Sequence, residues 1–282
     1  MRYGMPLTCL LGVLATLSLA AQQPEAPEEP EKLNEVIENA AGWYDLFPDD
    51  ESTEKLKSKP IMRWRNVSRG QKGEAMMVVW HRHGRPQAMA SIYPWLDKMV
   101  HEFDSLSREG KLIAKDDGRV VWMPSTPGVE FKDVPDAPEP AKNPLSRLRQ
   151  MKKIAKQFKA IMTGWAADDS DREELRPLPR ELFRYEPKQV AEGEPGLLDG
   201  AMFAYVQGTD PEVILLLEAT GEPGAWKWQY AFARATSGGL RVEWDGKPVW
   251  TAAKHAASKQ PTATHLGVGR PLAEVVPTPP KP

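Results

Sequence analysis

Two stretches of the chain carry apolar residues at helical spacing, and nearly everything else reads as strands joined by tight turns. In the first stretch, Leu33, Val36, Ile37, Ala40 and Tyr44 follow the i, i+3, i+4 rule, which predicts a helix over 31–44. In the second, Asn143 suits an N-cap and Pro144 the first helical position. Leu148, Met151, Ile154, Ala155, Phe158, Ile161, Met162 and Trp165 then form one apolar face, and Arg149, Lys152, Lys153, Lys156 and Lys159 the opposite one. That pattern predicts a helix over 144–164. Segments 74–81 and 87–93 form one predicted hairpin around His83-Gly84-Arg85-Pro86, and 201–207 and 212–218 form another around Gly208-Thr209-Asp210-Pro211. Asp117-Gly118 and Asp245-Gly246 are two-residue hairpin signals. Val213 to Leu217 is continuously apolar, as a strand covered on both faces should be.

The two halves echo one another. At an offset of 125, Met77 aligns with Met202, Trp80 with Tyr205, Pro86 with Pro211 and Ile92 with Leu217. At an offset of 128, Asp117-Gly118-Arg119-Val120-Val121-Trp122 aligns with Asp245-Gly246-Lys247-Pro248-Val249-Trp250. Each block follows an amphipathic helix and a short aromatic strand, Met62-Arg63-Trp64 or Leu182-Phe183-Arg184-Tyr185. The expected fold is therefore α+β: antiparallel sheets covered by two helices, with an internal duplication of a helix-plus-meander unit. The units would span 31–140 and 141–251. The element order loosely resembles cystatin-like helix-over-sheet folds, without an inhibitor or enzyme motif of those families.

The ends of the chain add a compartment. Residues 1–20 contain a single charge, Arg2, then an apolar run from Leu7 to Ala20 with small residues at Ser18 and Ala20. This is the layout of a secretory signal peptide cut after Ala20, so the protein is expected to be exported, periplasmic or secreted. The run is shorter than the roughly 20 residues that a membrane span needs. The only cysteine, Cys9, falls inside it, which leaves the mature chain without disulfides, thiolate metal sites or a cysteine nucleophile. Residues 21–30 read as a disordered leader and 252–282 as a disordered Ala/Lys/Pro/Thr tail.

Composition excludes more than it identifies. The 282 residues include 37 Lys and Arg against 39 Asp and Glu, a formal charge of −2. That near-balance gives no general pull toward nucleic acid. There is no G-x-S-x-G elbow, no phosphate loop and no HExxH. No cofactor is implied.

Four constellations remain. His81 and His83 lie two apart at a strand end, so both imidazoles can face one way and begin a metal site, with His101 or Asp104 as a third ligand. Asp168, Asp169, Asp171, Glu173 and Glu174 form an acidic run that reads as a solvated linker. Trp226, Trp228, Tyr230 and Phe232 share one face of an extended segment, either as core or as a ligand wall for an apolar ligand or glycan. The basic face of the second helix could meet an anionic surface. Asn66-Val67-Ser68 is a formal glycosylation sequon.

Arg63-Trp64 and the run His101-Glu102-Phe103-Asp104-Ser105-Leu106 are similar to segments of uncharacterised exported proteins of Planctomycetes-type bacteria, a resemblance that would cover most of 43–250. It implies export and no particular activity. The leading expectation is an exported, non-enzymatic domain that binds another envelope protein or supports an envelope assembly. The alternative is a carrier of an apolar ligand or glycan on the 226–232 strand. The third is a metal-assisted hydrolase around His81 and His83.

Overall fold

A computed structural model describes residues 29–66, 73–164, 172–186, 196–254 and 260–276. The segment expected to be a signal peptide, with Cys9, most of the expected leader, Ser68 of the sequon, Trp165 and Asp168, Asp169 and Asp171 lie outside the described residues. The first half contains α1 (Glu29–Ala40), a 3-10 turn (Ala41–Trp43), β1 (Asp45–Phe47), β2 (Lys57–Trp64), β3 (Ala75–Arg82), β4 (Arg85–Trp95), β5 (Lys98–Ser105), β6 (Ile113–Asp116), β7 (Arg119–Trp122) and β8 (Lys132–Asp133). The second contains α2 (Pro144–Ala155), β9 (Phe158–Gly164), β10 (Glu173–Glu174), β11 (Arg176–Pro177), β12 (Phe183–Tyr185), β13 (Leu197–Gln207), β14 (Asp210–Thr220), β15 (Lys227–Arg234), β16 (Gly239–Trp244), β17 (Lys247–Ala252), β18 (His265–Pro271) and the single turn α3 (Leu272–Val275).

Four antiparallel sheets result. Two are large, ordered β18-β5-β4-β3-β2 and β11-β13-β14-β15-β8, with β12 also paired to β13. Two are small, β1-β6-β7 and β10-β9-β16-β17. Registers recur between the halves. Met77 pairs with Ser91 and Met202 with Leu216, and each hairpin is irregular near its turn, after Trp80 or after Tyr205, the second also near its open end between Leu197 and Asp199. Ala114 pairs with Trp122 and Val242 with Trp250, again with an irregularity directly after each. Asp117-Gly118 and Asp245-Gly246 carry positive φ at both positions, 46° and 79° in one turn and 49° and 70° in the other. A two-residue turn with that twist requires it, and Asp followed by Gly meets it at low cost.

The layers run small sheet and α1, large sheet, large sheet, small sheet and α2. Alternate residues of β3 enter two different cores: Met76, Val78 and Trp80 pack with α1, while Met77 and Val79 meet Met202, Val206, Ile214 and Leu216 of the facing sheet. β14 does the same, sending Val213, Leu215 and Leu217 outward against α2 and Ile214 and Leu216 to the centre. This double burial is the physical reason for the unbroken apolar run Val213–Leu217.

The expected α+β architecture is therefore corrected. Among the described residues the fold is mostly antiparallel sheet, 51% strand against 13% helix, and the helices are short. A helix is about 10 Å wide and strands lie about 4.8 Å apart, so one helix covers about two strands. α1 lies on β3 and β4, and α2 on β13 and β14. The small sheets cover the rest through Leu46, Ala114 and Trp122 on one side and Ala160, Met162 and Val242 on the other. The second helix stops at Ala155, not at 164, and the first at Ala40. Phe158, Ile161 and Met162 fit a helical period, and Phe158, Ala160 and Met162 a strand period. Pairing of 158–162 with 240–244 decides for the strand.

The tail is the second correction. Residues 265–271 form β18, paired to β5 from His265↔Asp104 to Pro271↔Lys98. The segment has too few apolar residues for a core of its own, but Leu266 drops into the core beneath α1 and is 3% exposed. The two halves thus exchange strands. β8, which follows the first meander, pairs with β15 of the second half, and β18 returns to β5 of the first.

Candidate functional site

The two large sheets meet with β4 and β14 running in opposite directions, and the two ends of their seam differ. At one end, where β4 begins and β14 ends, Glu218 is fully buried. Its Oε2 accepts from Arg85 Nη2 at 3.1 Å and from Arg108 Nη2 at 2.7 Å, and its Oε1 accepts from Tyr185 Oη at 3.1 Å. The Arg108 guanidinium lies over the Phe131 ring at 3.7 Å. That end is sealed.

At the other end, where β4 finishes and β14 begins, the seam opens into a cleft of about 840 Å³. Trp64, Tyr93, Trp95 and Val100 give it apolar and aromatic walls, β18 contributes Leu266 to Gly269, and Glu102, Asp210 and Glu212 bring carboxylates to it. Asn66 Nδ2 donates to Asp210 Oδ2 at 3.2 Å, which ties the end of β2 to β14. Tyr93 hydrogen-bonds Glu102. Behind Glu102 on the same face of β5, Asp104 Oδ1 contacts His265 Nδ1 at 2.8 Å, both buried. Arg234 approaches from β15.

The electrostatics of this end follow from burial. Burial is the main reason that the Glu102 carboxyl is pushed up to about 7; His265 pulls it down, and Asp104 and Asp210 raise it further. Burial likewise raises Asp104, against the pull of His265. Burial alone would lower His265, but Asp104 and Glu102 together outweigh it and hold the imidazole above its ordinary value.

A pH dependence results. Glu102 keeps its proton to higher pH in the folded protein than in the unfolded chain, so its contribution to stability is present below about pH 4.5 and is lost as pH rises to about 7. At ~1.4 kcal/mol per pKa unit the full effect is about 3 kcal/mol, and the open cleft should screen it to about 1–2 kcal/mol. Glu102→Gln is therefore expected to unfold at higher urea than wild type at pH 8 and at the same urea concentration at pH 4. An equal offset at both pH values would sink this account.

Of the residues singled out in the sequence, Asn66 lines this cleft and Asp104 lies behind it, and the aromatic strand and the histidine pair lie elsewhere. Trp228, Tyr230 and Phe232 are buried in the core under α2, where Phe158 packs on Tyr230 at 4.9 Å and on Phe232 at 5.1 Å. Trp226 stands ahead of β15 beside Gly196. Only Tyr230 and Phe232 reach a recess, one of about 200 Å³ shared with Val249 and Trp250. His81 and His83 line a separate basin of about 470 Å³ with Lys55, Lys57 and Arg82. Burial, then Lys57 and Lys59, hold the His81 imidazole below its ordinary value, and Glu54 and Glu186 line the same basin. The expected third ligands go elsewhere: His101 packs between Trp43 and Tyr44 beneath α1, and Asp104 pairs with His265. Among the described residues no group of three or more His, Cys, Asp or Glu is placed to hold a metal. In the acidic run, Glu174 pairs with Lys159 at 2.8 Å, and on the basic helix Lys152 pairs with Glu181 at 2.8 Å.

Sequence reasoning gave Asp104 and Asn66 other roles and gave Glu102, Asp210 and Glu212 no functional role, although Glu212, an acid directly ahead of the apolar run Val213–Leu217, is a signal that could have found the cleft. No helix among the described residues is long and apolar enough to cross a membrane. Comparison with protein-family models, with curated proteins and with solved structures finds no match for this chain.

Proposed function

We propose that this is an exported, non-enzymatic binding protein that holds one amphipathic molecule with a cationic head in the cleft between its two large sheets. The observation that carries the reading is the difference between the ends of the seam. One is sealed by Glu218 with Arg85 and Arg108, and the other is left open, aromatic-walled and furnished with Glu102, Asp210 and Glu212. A volume of about 840 Å³ is within the range of small-molecule sites, roughly 300–1,000 Å³. Aromatic rings and carboxylates together favour an organic cation, the rings through their faces and the carboxylates through charge. The reading replaces the 226–232 strand as the ligand wall, because most of that strand is core, and it is preferred to a purely structural role because a structural seam has no use for an open, charged end.

Trp64 and Trp95 make the cleft its own reporter. Titration of the full chain with decyltrimethylammonium, decanoate and decyl maltoside, each below its micellar concentration, should change tryptophan fluorescence. The cation is expected to bind at least tenfold more tightly than the anion, and Glu212→Gln to weaken it severalfold. Equal affinity for all three, or no binding by any, would overturn the proposal.

A further inference from the structure

The hairpin joining β4 to β5 turns on two residues, Leu96 and Asp97, between the paired Trp95 and Lys98. Leu96 is 84% exposed and Trp95 45%, and Leu96 holds a φ of 54°. A leucine in that left-handed region costs free energy that glycine would not, and its side chain gains no packing there in return. The corresponding loop of the second half, between β14 and β15, is the longer Gly221-Glu222-Pro223-Gly224-Ala225-Trp226, which puts a charge and glycines at the tip where the first half has Leu96 and keeps its own tryptophan half-buried beside Gly196. Trp95 and Lys98 also line the cleft, as does Val120, itself 51% exposed. The exposed apolar tip is thus continuous with the mouth of the cleft.

We infer that this tip docks the protein on a lipid bilayer, with Leu96 and Trp95 entering the interface so that the cleft opens toward the membrane from which its amphipathic ligand comes. The inference rests on the proposed ligand class. Three features favour a bilayer over a protein partner. The apolar surface of Trp95, Leu96 and Val120 is on the order of 350 Å², well short of the ~800 Å² per partner of a stable protein interface. It stands on a convex two-residue tip, a shape that penetrates a soft surface. Tryptophan with a neighbouring lysine is the chemistry of the headgroup zone, where the ring spans the boundary and the ammonium reaches the phosphates.

The test is sedimentation of the full chain with phosphatidylcholine vesicles containing 30% phosphatidylglycerol. Wild type is expected to co-sediment. Leu96→Ser should weaken partitioning about tenfold. Leu96→Gly should weaken it similarly while raising the melting temperature, because glycine relieves the positive φ; a role confined to folding would not lower lipid binding while raising stability. Both variants should keep decyltrimethylammonium binding in lipid-free buffer, since Leu96 is not a cleft residue. Loss of that binding in wild type would count against the cleft, whereas vesicle sedimentation reports the tip alone. Absence of wild-type sedimentation at millimolar lipid, equal sedimentation of Leu96→Ser, or a wild-type dimer in analytical ultracentrifugation that Leu96→Ser dissolves would overturn the inference, the last in favour of a second copy of the chain.

Discussion

Replacing Trp122 by alanine is expected to lower the unfolding free energy by about 3–5 kcal/mol, the range for emptying a packed aromatic site. Its side chain is fully buried and stacks on Phe103 at 5.4 Å. Its indole N–H donates to the Ala263 carbonyl at 2.7 Å, so the same ring fastens the approach to β18. Trp250 holds the matching register position and packs on Phe232 at 5.7 Å, but it is only partly buried. Trp250→Ala should cost about 1–2 kcal/mol, in proportion to the smaller area removed from water. Guanidinium unfolding of both variants measures the contrast. Equal losses would mean that the shared register, not burial, sets the energetics. Trp122→Phe should fall between wild type and alanine, because it keeps the stack and loses the hydrogen bond.

A comparable loss is expected at the sealed end of the seam. Glu218→Ala would take from Arg85 and Arg108 the carboxylate they share and from Tyr185 its acceptor. Removing one partner of a buried ion pair leaves the desolvation cost of the other charge uncompensated, about 3–5 kcal/mol. Arg108→Ala should cost less, because that side chain is 25% exposed and Arg85 still faces Glu218. Replacing Glu218, Arg85 and Arg108 together by apolar residues of similar volume should recover most of the loss, since the burial cost disappears with the charges. If Glu218→Ala unfolds within about 1 kcal/mol of wild type, the network is not what seals this end.

The legible parts of the fold were those set by neighbours in sequence. Asp117-Gly118 and Asp245-Gly246 specify their turns locally, and Val213–Leu217 announces a strand covered on both sides. Segment 158–164 was misread because its apolar residues satisfy two periods, and only the partner strand β16 chooses between them. β18 was invisible for a related reason. His-Leu-Gly-Val-Gly-Arg-Pro has little to bury, and what holds it is the groove that β5 and Trp122 present. The cleft was unreadable as a whole because Glu102 and Glu212 lie 110 residues apart and meet only when two sheets stack. The aromatic segment 226–232 stands out by composition and is mostly core, while the open cleft is marked by Glu102, Asp210 and Glu212 in strands.

The strand exchange carries a consequence for how the protein is made. His265 and Asp104 are 161 residues apart, yet β5 gains its second neighbour in the first large sheet only when they pair. A chain emerging from a ribosome or a translocation channel must therefore hold β5 as a bare edge through the making of the whole second half. Such an edge invites pairing with other chains, and contacts of this sequence distance form slowly. A chain cut before β18 keeps β5 as the edge of its first large sheet, and such a truncation is expected to pair with other chains and to be proteolysed faster than the full chain.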